Sequence, residues 1–246
     1  MTDITRKLDN TFLLSHHPRL RNHLPETTAL SINSLRYMLQ RHQYLYVKPD
    51  NSCQGKGILR IDAHEDGRYQ LTSRDHNRSY KASSLQNLWK RIQRIKRKNR
   101  PYIIQQGIES RTKTGRLFDI RVHLTRIHNQ WEIGGFIGRV ATEKGIATNA
   151  YSGGIPVSIP RLFHHHLNYP HWKQKQLIDQ LSYLSHIATH IISSHYPKWN
   201  EFGLDIGIDE RGHPWIYEIN IYPGLYVFRN EKELLHKLRY MRKIAA

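Results

Sequence analysis

Gly203-Leu204-Asp205-Ile206-Gly207-Ile208-Asp209-Glu210-Arg211-Gly212, followed closely by Trp215-Ile216-Tyr217-Glu218-Ile219-Asn220-Ile221-Tyr222-Pro223-Gly224, is a pair of alternating runs about an Asp-Glu-Arg-Gly turn. Alternation of period two on both sides of a turn predicts an antiparallel hairpin with one dry and one wet face. With residues 210 to 213 as the loop, Leu204, Ile206 and Ile208 lie opposite Ile219, Tyr217 and Trp215, an apolar face of cross-strand pairs. The wet face sets Asp205 against Glu218, with Asn220 two residues further on. Two carboxylates and an amide oxygen on one side of a sheet suit Mg²⁺, which completes its shell with water and substrate phosphates. An exposed polar sheet face accounts for the same pattern equally well.

Composition narrows the class. The chain has 246 residues, enough for one large or two small domains, and 38% of them are hydrophobic. It has no long apolar run and nothing resembling a signal peptide, so a soluble, cytoplasmic protein with no membrane partner is expected. The single cysteine, Cys53, excludes an internal disulfide framework. A net charge of +18 favours an anionic partner without choosing among nucleotide, nucleic acid and acidic protein.

Outward from the hairpin, the order is α/β without internal repeats. Residues 1 to 45 read as polar and helical in pieces, around Leu35, Met38 and Leu39. Tyr44 to Val47 is a strand that delivers Lys48 into the small-residue loop Ser52-Cys53-Gln54-Gly55-Lys56-Gly57. Short strands follow at 58 to 61 and 68 to 72. Ser83 and Gln86 have capping-box spacing ahead of the stripe Leu85, Leu88, Trp89, Ile92 and Ile95. Residues 102 to 108 return as a buried strand, two strands flank His128-Asn129-Gln130, and Leu177, Leu181, Leu184 and Ile191 mark a long helix. Two α+β lobes fit this order.

A lysine at a strand end followed by glycines lets backbone N–H groups and an ammonium approach phosphate oxygens. The spacing is neither a Walker A motif nor a dinucleotide fingerprint, and a glycine turn between strands fits it as well.

In combination these pieces resemble the ATP-grasp domain of the YheC/YheD type associated with endospore coats. The resemblance is carried by Val47-Lys48-Pro49, the loop to Gly57-Ile58, Ile104 to Ile108, Phe118-Asp119-Ile120-Arg121-Val122, Arg139-Val140-Ala141, Thr148-Asn149 with Gly153-Gly154, and the C-terminal hairpin, over roughly residues 5 to 228. It implies an α+β ATP-grasp fold with two lobes gripping ATP between them and a reduced N-terminal region. Residues 1 to 45 would be a short lead-in, 46 to 110 the nucleotide-binding lobe, and 111 to 246 the lobe with the metal site.

The resemblance also implies roles. Lys48 would meet the α- and β-phosphates, Ser52, Gly55, Lys56 and Gly57 would form the flap over them, and Gln105, Gln106 and Ile108 the adenine hinge. Lys7 would be an earlier nucleotide-contacting lysine. Asp205, Glu218 and Asn220 would hold Mg²⁺, and Arg121, Arg139 and Asn149 would face the γ-phosphate and an acyl phosphate formed from it. The implied activity is ATP-dependent ligation of a carboxylate, acidic or peptidic substrates included, to an amine. The alternative is a coat-associated or assembly protein with a structural or vestigial nucleotide site. The sequence departs from the family pattern at Ser52, where a glycine is expected, and at Tyr222, where relatives often carry lysine.

Three other features have plainer readings. The cations from Lys90 to Arg100 are expected to form a solvated helix end drawn by the C-terminal dipole, with RNA contact the less favoured reading. His164-His165-His166 is expected to be a surface loop rather than a transition-metal site. Cys53 is expected to be a small loop residue, not a nucleophile.

Overall fold

The computed structural model describes residues 6–51, 56–76, 78–142, 145, 146, 148 and 154–245. Ser52, Gly55 and Asn149, like Cys53, lie outside these residues. The chain divides into two compact units, the first comprising residues 25 to 108 with the segment up to Leu8, the second residues 9 to 24 and 109 to 246.

The first unit is a six-stranded sheet of β1 (Thr27–Ala29), β2 (Tyr44–Pro49), β3 (Leu59–Ala63), β4 (Tyr69–Ser73), β5 (Arg78–Ala82) and β6 (Tyr102–Gln106), in the order β1-β6-β2-β3-β4-β5. Alternation decides its faces. Leu45 and Val47 of β2, Leu59 and Ile61 of β3, Leu71 of β4 and Ile104 of β6 are buried with Leu35 and Met38 of α2 (Ile32–Leu39) and Leu88 and Ile92 of α3 (Leu85–Ile95). The capping box belongs to α2, where Ser31 Oγ accepts the Ser34 N–H and Ser34 Oγ accepts the Ser31 N–H. On α3 the cap is Ser84, one residue later than its Ser-x-x-Gln spacing suggests, because Ser84 Oγ reaches the Asn87 N–H while Ser83 bonds the Asn87 side chain. The opposite face of the sheet carries Tyr46 and Lys48 on β2, and Gln105 stands opposite Tyr46. Gly107 follows β6 because the Tyr44 ring lies against its backbone; an added Cβ would sit 2.0 Å from that ring.

The second unit is a five-stranded sheet, β11-β10-β7-β8-β9, built from β7 (Phe118–Ile127), β8 (Gln130–Val140), β9 (Ile155–Val157), β10 (Glu201–Ile208) and β11 (Pro214–Ile221). His128 and Asn129, both at positive φ (47° and 63°), make the tight turn that joins β7 to β8. Ile120, Val122, Leu124, Leu204, Ile206, Ile216 and Ile219 form one face, packed with Leu177, Leu181, Leu184, Ala188 and Ile192 of the 25-residue α5 (His171–His195). That stripe of three- and four-residue steps is the amphipathic signal visible in the sequence. Part of the other face is covered by α6 (Lys232–Ile244), whose Leu238 packs with Ile137, Val227 and Phe228. Asp9 to Ser15 continue α1 (Lys7–Ser15), and Leu14 joins this core. No described helix is long and apolar enough to cross a membrane.

The hairpin departs from its expected register. Leu204 faces Ile219 and Asp205 faces Glu218 as the alternation requires, but Ile206 faces Ile216 and Ile208 faces Pro214. The shift between Asp205 and Ile206 leaves Tyr217 as an extra residue on β11. Its ring covers Gly207, where a Cβ would lie 1.8 Å from the Tyr217 hydroxyl. Ile216, rather than Trp215 and Tyr217, therefore fills the dry face.

Residues 164 to 166 also differ from expectation. They form part of a π-helical turn, Leu162–His166, that continues α4 (Ile159–Arg161). Among the described residues no three His, Cys, Asp or Glu converge as a metal cage.

Candidate functional site: a strand lysine and a buried arginine–carboxylate cluster

In the first unit, Lys48 Nζ donates to Gln105 Oε1 at 2.6 Å and lies 5.3 Å from the centre of the Tyr46 ring. Gln105 is buried and donates through Nε2 to Thr27 Oγ1 at 3.1 Å. The amide is thus fixed by β1 and fixes the ammonium in turn, so Gln105 orients Lys48. Gln106 is held differently, exchanging backbone and side-chain hydrogen bonds with Glu26. Ile108 is buried just beyond Gly107. Lys7 arrives at the same end of β2 as Lys48, because the buried Asp50 caps the start of α1. Its Oδ1 accepts the Leu8 N–H at 2.9 Å and its carbonyl the Lys7 N–H at 3.0 Å. Lys56 and Gly57 lie at that end too, and the Gly57 N–H donates to Asp75 Oδ2 at 2.9 Å.

In the second unit, the polar face of the sheet concentrates charge. Arg121 Nε donates to Asp205 Oδ1 at 2.5 Å, and Arg139 reaches the same oxygen at 3.0 Å. Arg139 also makes a two-pronged pair with Asp119, 2.6 Å from Nε and 2.5 Å from Nη2. Thr148 Oγ1 donates to Asp119 as well. Asp119 therefore orients Arg139, not Arg121 two residues along its own strand. Asp119 and Arg139 stand directly opposite each other across β7 and β8, as do Asp205 and Arg121 across β10 and β7.

Burial alone would raise the Asp205 carboxyl, but the charges of Arg121 and Arg139 outweigh it and hold the group at about 2. Burial likewise opposes charge on Arg139, and the two carboxylates override it, so the guanidinium stays protonated. Beside this cluster, Asn220 Nδ2 lies 3.3 Å from Asp205 Oδ2, and Glu218 faces Asp205 across the strand pair. Asp205 and Glu218 bring two carboxylates to one face of the hairpin, and the Asn220 amide, which donates to Asp205 through Nδ2, could offer its oxygen after an amide rotation. This set suits an ion such as Mg²⁺, which takes one or two carboxylates and fills its remaining positions with water and phosphate oxygens.

A supporting layer behind the hairpin was not visible in the sequence. Glu201, 3% exposed, accepts from Arg242 Nε at 2.8 Å and pairs with His123 Nε2 at 2.7 Å. Arg242 also donates to the Pro223 carbonyl at 2.8 Å and lies 4.4 Å from the Tyr222 ring centre. Tyr222 is exposed and has a positive φ of 48°, so α6 anchors the segment that follows Asn220. The only sequence clue was Tyr222 itself, standing where a lysine was expected.

A six-stranded and a five-stranded antiparallel sheet, each backed by helices, with a strand lysine in one unit and a paired arginine–carboxylate cluster in the other, define an ATP-grasp fold. The chain belongs to the YheC/D-like ATP-grasp family, whose sequence model matches residues 2–245. It is 23% identical over 221 residues to the endospore coat-associated protein YheD of Bacillus subtilis, covering 88% of this chain and 48% of that protein. It is also 23% identical over 232 residues to the endospore coat-associated protein YheC of the same organism, covering 91% of this chain and 62% of that one. The chain thus spans about half of the first relative and less than two thirds of the second. Among solved structures, the D-alanyl-alanine synthetase A of Vibrio cholerae superposes with a TM-score of 0.57 at 13% identity, covering 99% of this chain and 65% of that one.

Proposed function

We propose that the chain binds Mg-ATP and uses it to ligate a carboxylate to an amine. The observation that carries this reading is the buried cluster of Arg121, Arg139, Asp119 and Asp205 beside Glu218 and Asn220, on an ATP-grasp fold. A carboxylate oxygen attacks the γ-phosphorus, ADP leaves, and an acyl phosphate forms. The amine nitrogen then attacks the acyl carbon, losing a proton as phosphate departs. Charge gathers on the transferring oxygens in the first step, and positioned cations stabilise it without reorganising.

Each residue has a part in this reading. Asp205, Glu218 and Asn220 hold Mg²⁺, which when bound neutralises phosphate charge. Arg121, kept rigid by Asp205, faces the γ-phosphate; Arg139, with Asn149, steadies the acyl phosphate. Lys48, aligned by Gln105, meets the α- and β-phosphates with Lys7. Residues Ser52, Gly55, Lys56 and Gly57 close over them, and Gln106 and Ile108 border the adenine.

Replacing Lys48 by Ala is expected to weaken Mg-ATP binding roughly tenfold or more, whereas Lys98→Ala leaves it within about twofold. The first ammonium is partly desolvated and held by an amide; the second is a screened surface charge. Calorimetric titration at physiological salt measures both, and equal losses would point to diffuse attraction instead of a site.

Arg121→Lys tests the reaction class. An ammonium retains the charge but not the planar two-pronged fork, so Mg-ATP affinity is expected to persist while acyl phosphate formation falls on the order of 10²-fold. Hydroxylamine trapping reports the acyl phosphate as a hydroxamate.

A second reading rests on the names of the relatives. As a component associated with the endospore coat, the protein would bind Mg-ATP for assembly and not turn it over. Stable nucleotide binding with no ADP formed, in the presence of coat extract, would favour it.

A further inference from the structure

Between Asp75 and Glu109 the chain contains no Asp or Glu. The fold gathers five basic residues of this stretch, with Arg74 just before it, at one end of the first unit's sheet. β4 ends at Ser73 opposite Arg78, the first residue of β5, and Arg74 lies in the turn between them. The segment after α3 returns to the start of β6 at Tyr102, which pairs with Pro49 at the same end, and carries Lys96, Arg97, Lys98 and Arg100. Six cations thus meet there with Asp75, which is already engaged by Arg97 Nη2 at 3.1 Å and the Gly57 N–H at 2.9 Å; Asp50, at the same end, is buried and engaged by Arg6 and the start of α1. Arg78, Lys98 and Arg100 are exposed. Lys90 and Arg94, exposed one turn apart on α3, extend the row along the helix face away from Leu88 and Ile92.

The cluster is more crowded than a helix end needs. Burial pushes the Arg74 guanidinium down, Asp75 opposes this, and the nearby Arg97 adds to the depression. Cations complement a helix C-terminus only within its last turn, and here Arg78 comes from a strand and Arg74 from a turn. Like charges held together on rigid elements, with their neighbouring acids already engaged, fit a partner that brings its own continuous negative charge. A phosphodiester backbone has that property, one charge per nucleotide without interruption, whereas acidic protein surfaces interleave carboxylates with other groups.

From this arrangement we infer that the basic end of the first unit, Arg74 and Arg78 with the Lys96–Arg100 segment, binds the backbone of a nucleic acid. The contacts are to phosphates, so binding is independent of base sequence. The surface adjoins the residues assigned to the nucleotide, since Gly57 and Arg97 share Asp75, but includes none of them, and the inference does not depend on ligase activity.

Fluorescence anisotropy with a labelled 20-nucleotide mixed-sequence single-stranded RNA tests it, with the matching DNA and a 20-residue polyglutamate as comparators. Both nucleic acids are expected to bind, and affinity to fall on the order of 10²-fold between 50 and 200 mM salt, as about five phosphate contacts require. The triple variant Arg78→Gln, Lys98→Gln, Arg100→Gln is expected to lower the salt slope by about two. A triple variant that removes the same charge from the second unit, Lys175→Gln, Lys232→Gln, Lys237→Gln, is expected to leave the slope unchanged. Binding is expected to persist at saturating Mg-ATP. The inference is overturned by equal effects of the two triple variants, by polyglutamate binding as tightly as RNA, by complete displacement with Mg-ATP, or by no binding at 50 mM salt.

Discussion

Glu218→Gln and Asp205→Asn are each expected to reduce Mg-dependent ATP turnover on the order of 10²- to 10³-fold, the loss typical when one preorganised charge-stabilising group is removed. The two variants differ in what else they disturb. Glu218 is half-buried and faces Asp205 across the strand pair, so its neutralisation subtracts a charge from the proposed cation site. Asp205 also holds Arg121 and Arg139 through one oxygen, and its side chain is only 13% exposed. Asp205→Asn therefore loosens both guanidiniums and is expected to cost stability as well as turnover. A urea titration beside the ADP assay separates these effects. Unchanged turnover in both variants would remove the metal site from the account.

The largest stability effect is expected from Arg139→Leu. It leaves Asp119, 3% exposed, without the guanidinium that grips both its oxygens, and breaking a buried pair in this way costs about 3–5 kcal/mol. The double variant Asp119→Leu/Arg139→Leu removes both charges and is expected to recover most of that loss, because a buried pair contributes little net over an apolar one of similar volume. A double variant as unstable as Arg139→Leu alone would mean that the Asp205 contact, not Asp119, is what Arg139 supplies to the fold.

This cluster also marks where sequence reading stopped. Alternation located the hairpin and put Asp205 against Glu218, because side chains on a strand repeat every two residues whatever packs on them. It could not foresee the extra residue at Tyr217, which depends on the ring finding room over Gly207 across the strand pair. Two-residue spacing puts Asp119 and Arg121 on one face and suggests that the acid orients this arginine, yet Arg121 is held by Asp205 instead. Residues directly opposite on neighbouring strands approach more closely than those two apart on one strand, so Asp119 pairs with Arg139 and Arg121 with Asp205. The lysine at the end of β2 was legible from its glycine-rich sequel; its alignment by Gln105 and Thr27 was not, since β1 is only three residues long and has no repeating pattern. The role of α6 was equally hidden, because Arg242 works through Glu201 and the backbone of Pro223, which no local motif records.

The central claim is that ATP is spent to activate a carboxylate, and single-turnover trapping with radiolabelled Mg-ATP and hydroxylamine tests it most directly. Wild-type protein would be mixed with pools of amino acids, peptides and coat-extract acids. ADP and hydroxamate are expected in equal amounts, both dependent on Mg²⁺ and both reduced on the order of 10²-fold in Arg121→Lys. Tight Mg-ATP binding with neither ADP nor hydroxamate from any pool, and with Arg121→Lys indistinguishable from wild type, would contradict the ligase account and favour a coat-associated protein that holds its nucleotide without consuming it.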